Sequence, residues 1–310
     1  VLAIMDKVSK ADIQPYQDAV NNASLINEEL TGSKVVKTKR LPEFNAVEWT
    51  LGNGAKVVFR KADYDKDAVS LSSYSKGGTS LYDIDMLPSA ANAASFTRNF
   101  GVGEFDAITL KKLLTGKMAS CSASIGGMSE AVSGSSTPKD FETMLQLLYL
   151  RFEKPRFDQE VFESIMNRNR AMLPNMLKNP QKIMQDSMQQ IMTNYNPRSL
   201  IYNEKYLDQI SLEKIEQVYR DRIKDASDFT FFIVGNIDED VVKPLVEKYI
   251  GSLKSENRKE TWRDNQVRGP KGKTVKEIEL ALETPKSTVI TNFSKDMKYS
   301  IYHNICNNIL

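Results

Sequence analysis

The chain has 310 residues, of which 41% are hydrophobic and 26% charged, so it is long and apolar enough to bury at least one sizeable core. Its formal net charge of +2 argues against nucleic-acid binding, which needs an excess of cations facing phosphates. No apolar run approaches the roughly 18 residues of a membrane-spanning helix, so the sequence predicts no membrane span.

Histidine and cysteine counts set the sharpest chemical limits. His303 is the only histidine, so a site that needs two imidazoles from this chain is excluded. The two cysteines, Cys121 and Cys306, lie far apart and form no C-x-x-C unit. Neither a disulfide framework nor a zinc knuckle is therefore indicated.

Residues 1–45 are predicted to form a helical, basic linker arm. The helical patterns VLAIMDKVSKA and QPYQDAVNNASLINEEL precede the connector TGSKVVKTKRLPEFN. The connector carries four cations, Lys34, Lys37, Lys39 and Arg40. We favour the interpretation that they lie on a solvated face, and the alternative is that they bind an acidic partner. The start lacks the pattern of a signal peptide and its first residue is valine rather than an initiator methionine, so we expect a piece cut from a longer polypeptide.

Residues 46–254 are predicted to form an α+β domain. From Val47, VEWTLGNGAKVVFRKADYDKDAVSLSSYS has the pattern of three strands joined by two turns, which predicts an antiparallel meander. The stretch PSAANAASF predicts a helix with almost no chemically active side chains, and DAITLKKLLTGK predicts another. MASCSASIGGMSEAVSGSS then predicts a hairpin around Gly126-Gly127.

The second part of this domain is predicted to be mainly helical. KDFETMLQLLYLRF is amphipathic, with an apolar core stripe at Phe141, Met144, Leu145 and Leu148. Helical patterns fill most of residues 158–224, and DFTFFIVGNIDEDVVKPLVEKYIGSL then predicts a buried strand, a turn and a helix. We expect a mixed, largely antiparallel sheet covered by helices.

The C-terminal stretch is predicted to be a charged linker over 255–273, followed by the start of a second, similar α+β domain over 274–310. KEIELALE and KSTVITNFS have strand patterns, and DMKYSIYHNICNNIL has a helical one. About 37 residues cannot bury a core of their own, so this part is expected to be a truncated domain.

Several phrases in their order resemble one family of enzymes. They are TLGNGAKVVFRK, SKGGTSLYD, VSGSSTPKDFETMLQLLYLRFEKPRFDQEVFE and FTFFIVGNIDEDVVKPLVEKYIGSL. From about residue 47 onwards the chain is similar to the pitrilysin/insulinase-like zinc metallopeptidases, which include the mitochondrial processing peptidase. The resemblance implies two homologous halves, each of two α+β domains, that close around a peptide.

The same resemblance exposes a missing motif. Catalytic halves of such enzymes carry H-x-x-E-H on a helix, where two histidines hold zinc and the glutamate activates water. Aligned from Gly78-Thr79, the chain has Ala91 and Ser95 at the histidine positions and Ala94 at the glutamate position. The resemblance therefore implies a degenerate active-site helix. The alternative is that small residues here only allow close helix–sheet packing.

The family's third zinc ligand is a glutamate further along the chain. No glutamate occurs between Glu163 and Glu204, where the resemblance would place it. Methyl and hydroxymethyl groups do not replace imidazole and carboxylate ligands. We therefore expect no catalytic and no metal-binding residue in this chain, and zinc only in the catalytic half of the parent protein.

The favoured function is accordingly the non-catalytic half of a zinc-dependent metalloendopeptidase. Its expected partners are a catalytic half, in the same or another polypeptide, and a peptide enclosed between the halves. A periplasmic location is an expectation from the resemblance alone. A structural scaffold subunit with a peptidase-like fold is the alternative. A hydrolase built on Cys121, His303 and Cys306 is disfavoured, because the sequence has no signature for such a couple.

Overall fold

The computed structural model describes residues 23–279, 286–293, 298 and 300–309. The chain divides into two compact units. The sheet unit comprises the described residues up to Asn167 together with Asp208–Arg263. The second unit comprises Arg168–Leu207 and the described residues from Asp264 onwards.

A seven-stranded mixed sheet forms the centre of the sheet unit. Its strands are β1 (Val35–Leu41), β2 (Ala46–Leu51), β3 (Lys56–Lys61), β4 (Val69–Lys76), β5 (Ala119–Ile125), β6 (Ser129–Ser136) and β7 (Thr230–Gly235). Their order across the sheet is β1-β2-β3-β7-β4-β6-β5. Only the β3–β7 pair is parallel, so the predicted mixed, largely antiparallel sheet is confirmed.

The predicted meander of β2, β3 and β4 is wrong in one respect. Strand β7 lies between β3 and β4, so that Phe232 is flanked by Val58 and Ser72. The side chains of Phe231 and Ile233 on β7 are fully buried, and a central place in the sheet covers such a strand on both edges. Strand patterns alone do not show pairing between residues so far apart in the chain.

Strand β1 corrects the prediction that all of residues 1–45 form a linker arm. It pairs with β2 from Val35 opposite Leu51 to Leu41 opposite Ala46, with an irregularity after Val35. Five of its seven residues are exposed, because it is an edge strand. Its charged side chains concealed the strand pattern, although lysines are common protectors of free edges.

The helices of the described residues are α1 (Leu87–Phe100), α2 (Ala107–Leu113), α3 (Phe141–Glu153), α4 (Gln159–Leu177), α5 (Pro180–Met192), α6 (Glu204–Asp208), α7 (Leu212–Arg222), α8 (Glu239–Tyr249) and α9 (Ile301–Ile309). In the sheet unit, α3 packs on β5 and β6, and α1 packs on β5 and α7. The predicted core stripe of α3 is confirmed, since its members are at most 1% exposed. No described helix is long and apolar enough to cross a membrane.

The helices of the sheet unit cover one face of the sheet. On that face Trp49 stacks on Phe59 with ring centres 5.7 Å apart, and Phe152 meets Phe229 edge-on at 5.1 Å. Along β4 every second residue, beginning with Ser70, is exposed on the opposite side. We call this opposite side the open face.

Residues Ser255–Arg263, assigned from sequence to the charged linker, lie in the sheet unit. We call them the strap. The backbone N–H of Arg258 donates to Asp225 at 2.7 Å, and the Glu260 carboxylate lies 2.7 Å from the Arg222 guanidinium. The strap is thus bound by ion pairs and hydrogen bonds rather than by apolar residues, which is why its composition resembled a linker.

Two strands are predicted near the C-terminus, and only parts of them lie within the described residues. KEIELALE and KSTVITNFS extend partly outside the described residues, and their described parts, 276–279 and 286–293, have no strand structure. A strand needs a neighbour for its backbone N–H and C=O groups. The predicted helix is present as α9.

Candidate functional site

Helix α1 is the element on which the sequence places the degenerate site. It begins at Leu87 with Pro88 in its first turn and ends before Gly101, whose φ of 90° stops the helix. One side of α1 is buried: Leu87, Pro88, Ser89, Ala90, Ala93, Phe96, Thr97 and Phe100. The small residues Ala90 and Ala93 are 0% exposed, so close packing explains those two positions.

Packing does not explain the positions that the resemblance aligns with the zinc motif. Ala91 and Ser95 are exposed one helical turn apart, and Ala94 is half-buried beside them. The Ser95 hydroxyl donates to the backbone oxygen of Asn92 at 2.9 Å, so its proton is used within the helix. The three positions share a solvent-facing side, as a metal site would require, but carry no metal-binding group. Their assignment as a degenerate motif stays a prediction.

The neighbouring helix does not supply the missing ligands. Phe162 of α4 meets Phe96 of α1 with ring centres 5.7 Å apart, and Met166, one turn further, is 4% exposed. Within the described ranges, no group of three or more His, Cys, Asp or Glu side chains is close enough to hold a metal ion. The residues around α1 do not fit zinc, because zinc sites in proteins use nitrogen, sulfur or carboxylate ligands.

Cys121 lacks the properties of a nucleophile. It lies on β5 with 7% of its surface exposed, and burial raises the pKa of its thiol to about 12. A thiol in that state stays protonated at neutral pH and attacks poorly. His303 of α9 is exposed, with its Nδ1 3.3 Å from the backbone oxygen of Lys298.

A buried polar cluster holds the turn between β4 and α1. The Glu130 side chain accepts from the backbone N–H of Gly78 at 2.7 Å, and burial raises the pKa of that carboxyl despite this bond. At Gly77, with φ of 143°, an added Cβ would lie 2.5 Å from the Arg222 guanidinium. The turn SKGGTS therefore needs its glycines for structural reasons. Sequence reasoning missed this cluster, because nothing in the helical pattern of α7 marks Arg222 as buried.

The open face is the other surface with a distinct chemical character. Across its centre Val58, Phe232 and Ser72 lie side by side on β3, β7 and β4. In the next row Lys56, Thr230 and Tyr74 are neighbours. Apolar side chains in the middle of the sheet therefore remain accessible for contacts.

Serines cover the half of the open face formed by β4, β6 and β5. They are Ser70 and Ser72 on β4, Ser129, Ser133 and Ser135 on β6, and Ser120, Ser122 and Ser124 on β5. The hydroxyl oxygens of Ser120 and Ser135 lie 3.1 Å apart. Hydroxyls donate and accept hydrogen bonds regardless of a partner's charge. Alternating serines along all three strands are the sequence signal for this surface, but the strand order that brings them together is visible only in the structure.

The chain is similar to a family model of an inactive peptidase domain and to proteins described as zinc proteases. The family model described as the peptidase M16 inactive domain matches residues 209–310. The probable zinc protease PqqL of Escherichia coli is 24% identical over 82% of this chain and 27% of that protein. The chain thus spans about a quarter of the length of the curated relatives that it matches.

Solved structures show the same fold. The periplasmic protease PqqL from Escherichia coli superposes with a TM-score of 0.69 at 21% identity, covering 86% of this chain and 29% of that one. A peptidase M16 inactive domain from Pseudomonas fluorescens gives a TM-score of 0.58 at 18% identity, covering 71% of this chain and 53% of that one. The solved structures confirm the α+β fold, and the family model and the zinc protease relatives confirm the resemblance to pitrilysin-like zinc peptidases.

Proposed function

We propose that the chain is a non-catalytic half of a pitrilysin-like zinc metalloendopeptidase and that its open face helps to enclose the peptide. The observation that carries the proposal is the exposed side of α1. It presents Ala91, Ala94 and Ser95 to solvent, where the resemblance to catalytic halves implies zinc ligands and a general base. The match to an inactive peptidase domain supports the same conclusion.

In this function the chain binds and confines rather than reacts. Zinc in the separate catalytic half supplies the Lewis acid and the activated water. Here the sheet supplies a preformed wall, because β7 in its centre is paired on both edges and its core side is buried. Phe232 and Val234 offer apolar contacts, and the serines offer hydrogen bonds to an extended backbone.

A scaffold subunit is the second candidate. The same lack of metal ligands supports it, and an exposed sheet face also serves stable assembly with another protein. The two functions differ in what the chain does to catalysis. A chamber wall changes peptide turnover by the catalytic half, whereas a scaffold binds without changing it.

We also propose a periplasmic location for the parent protein. The support is the Escherichia coli relative described as a periplasmic protease. Fractionation of cells that express the full parent protein tests this location, and recovery in the cytoplasmic fraction contradicts it.

The test of the proposed function adds the chain to the catalytic half of its parent protein, which bears H-x-x-E-H. We expect kcat/KM for an unstructured peptide to rise at least about tenfold, because a second wall orients the peptide at the zinc. Binding of the halves without any change in kcat/KM would support the scaffold instead. Turnover by the chain alone, blocked by a chelator, would contradict both.

A further inference from the structure

The open face carries a strongly unequal charge. Its strand positions hold five cations and one carboxylate, namely Lys37, Lys39, Lys56, Arg60, Lys76 and Glu48. The whole chain, by contrast, has 42 basic and 40 acidic residues. The open face therefore has an excess of four positive charges, five cations less one carboxylate, whereas the whole chain has an excess of only two.

Most of this charge lies at one end of the sheet, which we call the basic end: Lys37, Lys39, Lys56 and Lys76. Lys37 is opposite Thr50, which is opposite Lys56, so these two lysines share a row across three strands. Lys56 continues through Thr230 to Tyr74, and Lys76 lies two residues further along β4. The row from β1 to β4 spans about 19 Å, from the usual strand spacing.

Among the described residues, lysines of the basic end lack the ion pairs that cations nearby in the sequence form with carboxylates. Lys34 pairs with Glu247 at 2.9 Å, and Arg40 pairs with Glu239 at 2.8 Å. In the part of the chain that the structure describes, no ion pair involves Lys37, Lys56 or Lys76. Their charge remains available to a partner.

Protection of a free sheet edge does not account for the basic end. Lysines on an edge strand discourage pairing with another molecule, and that explanation suits Lys37 and Lys39 on β1. Lys56 lies on the inner strand β3, paired on both sides with Thr50 and Thr230, and Lys76 lies at the end of the inner strand β4, paired with Ser129 of β6. Neither lysine lies on an edge strand, so another reason for their position is needed.

Apolar groups adjoin the basic end. Tyr74 is 47% exposed, Phe232 39% and Val234 37%, all on the open face. An extended polypeptide with carboxylates near the lysines and apolar side chains against this strip would satisfy both features. The lysines of the basic end would repel a basic peptide, and a wholly polar peptide would leave the exposed side chains of Tyr74, Phe232 and Val234 without apolar contacts.

We propose that the open face selects extended, acidic polypeptide segments that also carry apolar side chains. The inference rests on the proposed function, because it names the class of peptide that this wall admits. Carboxylates of the peptide meet the basic end, and its apolar side chains meet Tyr74, Phe232 and Val234.

Three labelled, unstructured peptides of equal length test the proposal by fluorescence anisotropy with the full chain. They share the same leucines and serines and carry glutamate, glutamine or lysine at the remaining positions. We expect the glutamate peptide to bind about tenfold tighter than the glutamine peptide, and the lysine peptide to bind most weakly. The difference should shrink at high salt, because exposed charges are screened.

A charge-reversed variant, Lys37→Glu with Lys56→Glu and Lys76→Glu, should lose the preference for the glutamate peptide. The matched control reverses three exposed lysines elsewhere, Lys111, Lys139 and Lys205. It changes the net charge equally and should keep the preference. Phe232→Thr should weaken all three peptides, whereas Ile108→Thr, at an exposed position on α2, should not. The thermal midpoint of each variant shows that it is folded.

The outcomes separate this inference from the proposed function. Equal affinity for the three peptides would overturn the acidic preference but would not contradict the proposal that the open face helps to enclose a peptide. A preference that survives in the open-face variant, or disappears in the control, would also overturn it. If none of the peptides bound, both the acidic preference and the proposal that the open face contacts the peptide would be contradicted.

Discussion

Single residues decide what this chain contributes to chemistry. Ala91 and Ser95 occupy exposed positions one turn apart on α1, where imidazoles would be able to share a metal ion. The backbone geometry suits a metal site, and only the side chains are missing.

Restoring two imidazoles tests that geometry. The double variant Ala91→His with Ser95→His should bind Co²⁺ at least about tenfold tighter than Ala91→His with Asn99→His. The control pair is also exposed but lies two turns apart, about 12 Å along the helix, too far to share one ion. Titration followed by the cobalt absorption spectrum measures the difference. Equal affinities would show that positions 91 and 95 do not face the same side.

Asp225 predicts a pH dependence of stability. Burial pushes the pKa of its carboxyl up, but bonds from the N–H groups of Arg258 and Ser227 and the Ser227 hydroxyl hold the pKa below its ordinary value. A lowered folded pKa contributes stability above the unfolded pKa of about 4, and this contribution is lost as pH falls. Asp225→Asn should therefore cost about 1–2 kcal/mol at pH 7 and less at lower pH.

Urea unfolding between pH 3 and pH 7 measures this difference. Asp63→Asn, at an exposed position, is the control and should change the free energy of unfolding by less than about 0.5 kcal/mol. If the cost of Asp225→Asn were the same at all pH values, the carboxylate would not be the group that holds the strap.

At the scale of elements, the end of α1 depends on one glycine. Gly101 has a φ of 90°, and an added Cβ would lie 2.1 Å from the backbone oxygen of Phe105. Gly116 has a similar φ of 81° but nothing within 4 Å. Gly101→Ala should therefore destabilise the fold by at least about 2 kcal/mol more than Gly116→Ala. Similar urea midpoints for the two variants would refute the close approach at Gly101.

Elements with a local pattern could be predicted from sequence, and those that depend on distant pairing could not. The alternation in β2, β3 and β4 and the apolar stripe of α3 identified those elements correctly. The place of β7 between β3 and β4 could not be predicted, because its partners lie far away in the chain. The edge strand β1 was missed because its exposed charges resemble those of a linker.

For the candidate site, too, some features could be predicted from sequence and others needed the structure. The expectation that this chain forms no two-histidine zinc site rests on residue types alone, since the sequence has one histidine. The open face needed the structure, because it is assembled from seven strands whose neighbours are set by the sheet order. Lys56 and Lys76, for example, share a surface only because β7 connects β3 to β4.

At the scale of the whole molecule, the two faces of the sheet differ in what they contact. One side of the sheet is packed with helices and gives rigidity, and the other presents apolar, hydroxyl and basic groups. No described cluster of side chains is able to hold a metal. These two features are the ones that the proposed function as a non-catalytic half requires.

The most direct test of this account is the zinc content of the purified chain after incubation with zinc and removal of free metal, with peptide turnover measured on the same sample. We predict far less than one zinc per chain and no turnover that a chelator abolishes. Stoichiometric zinc together with chelator-sensitive cleavage of the peptide would contradict the account.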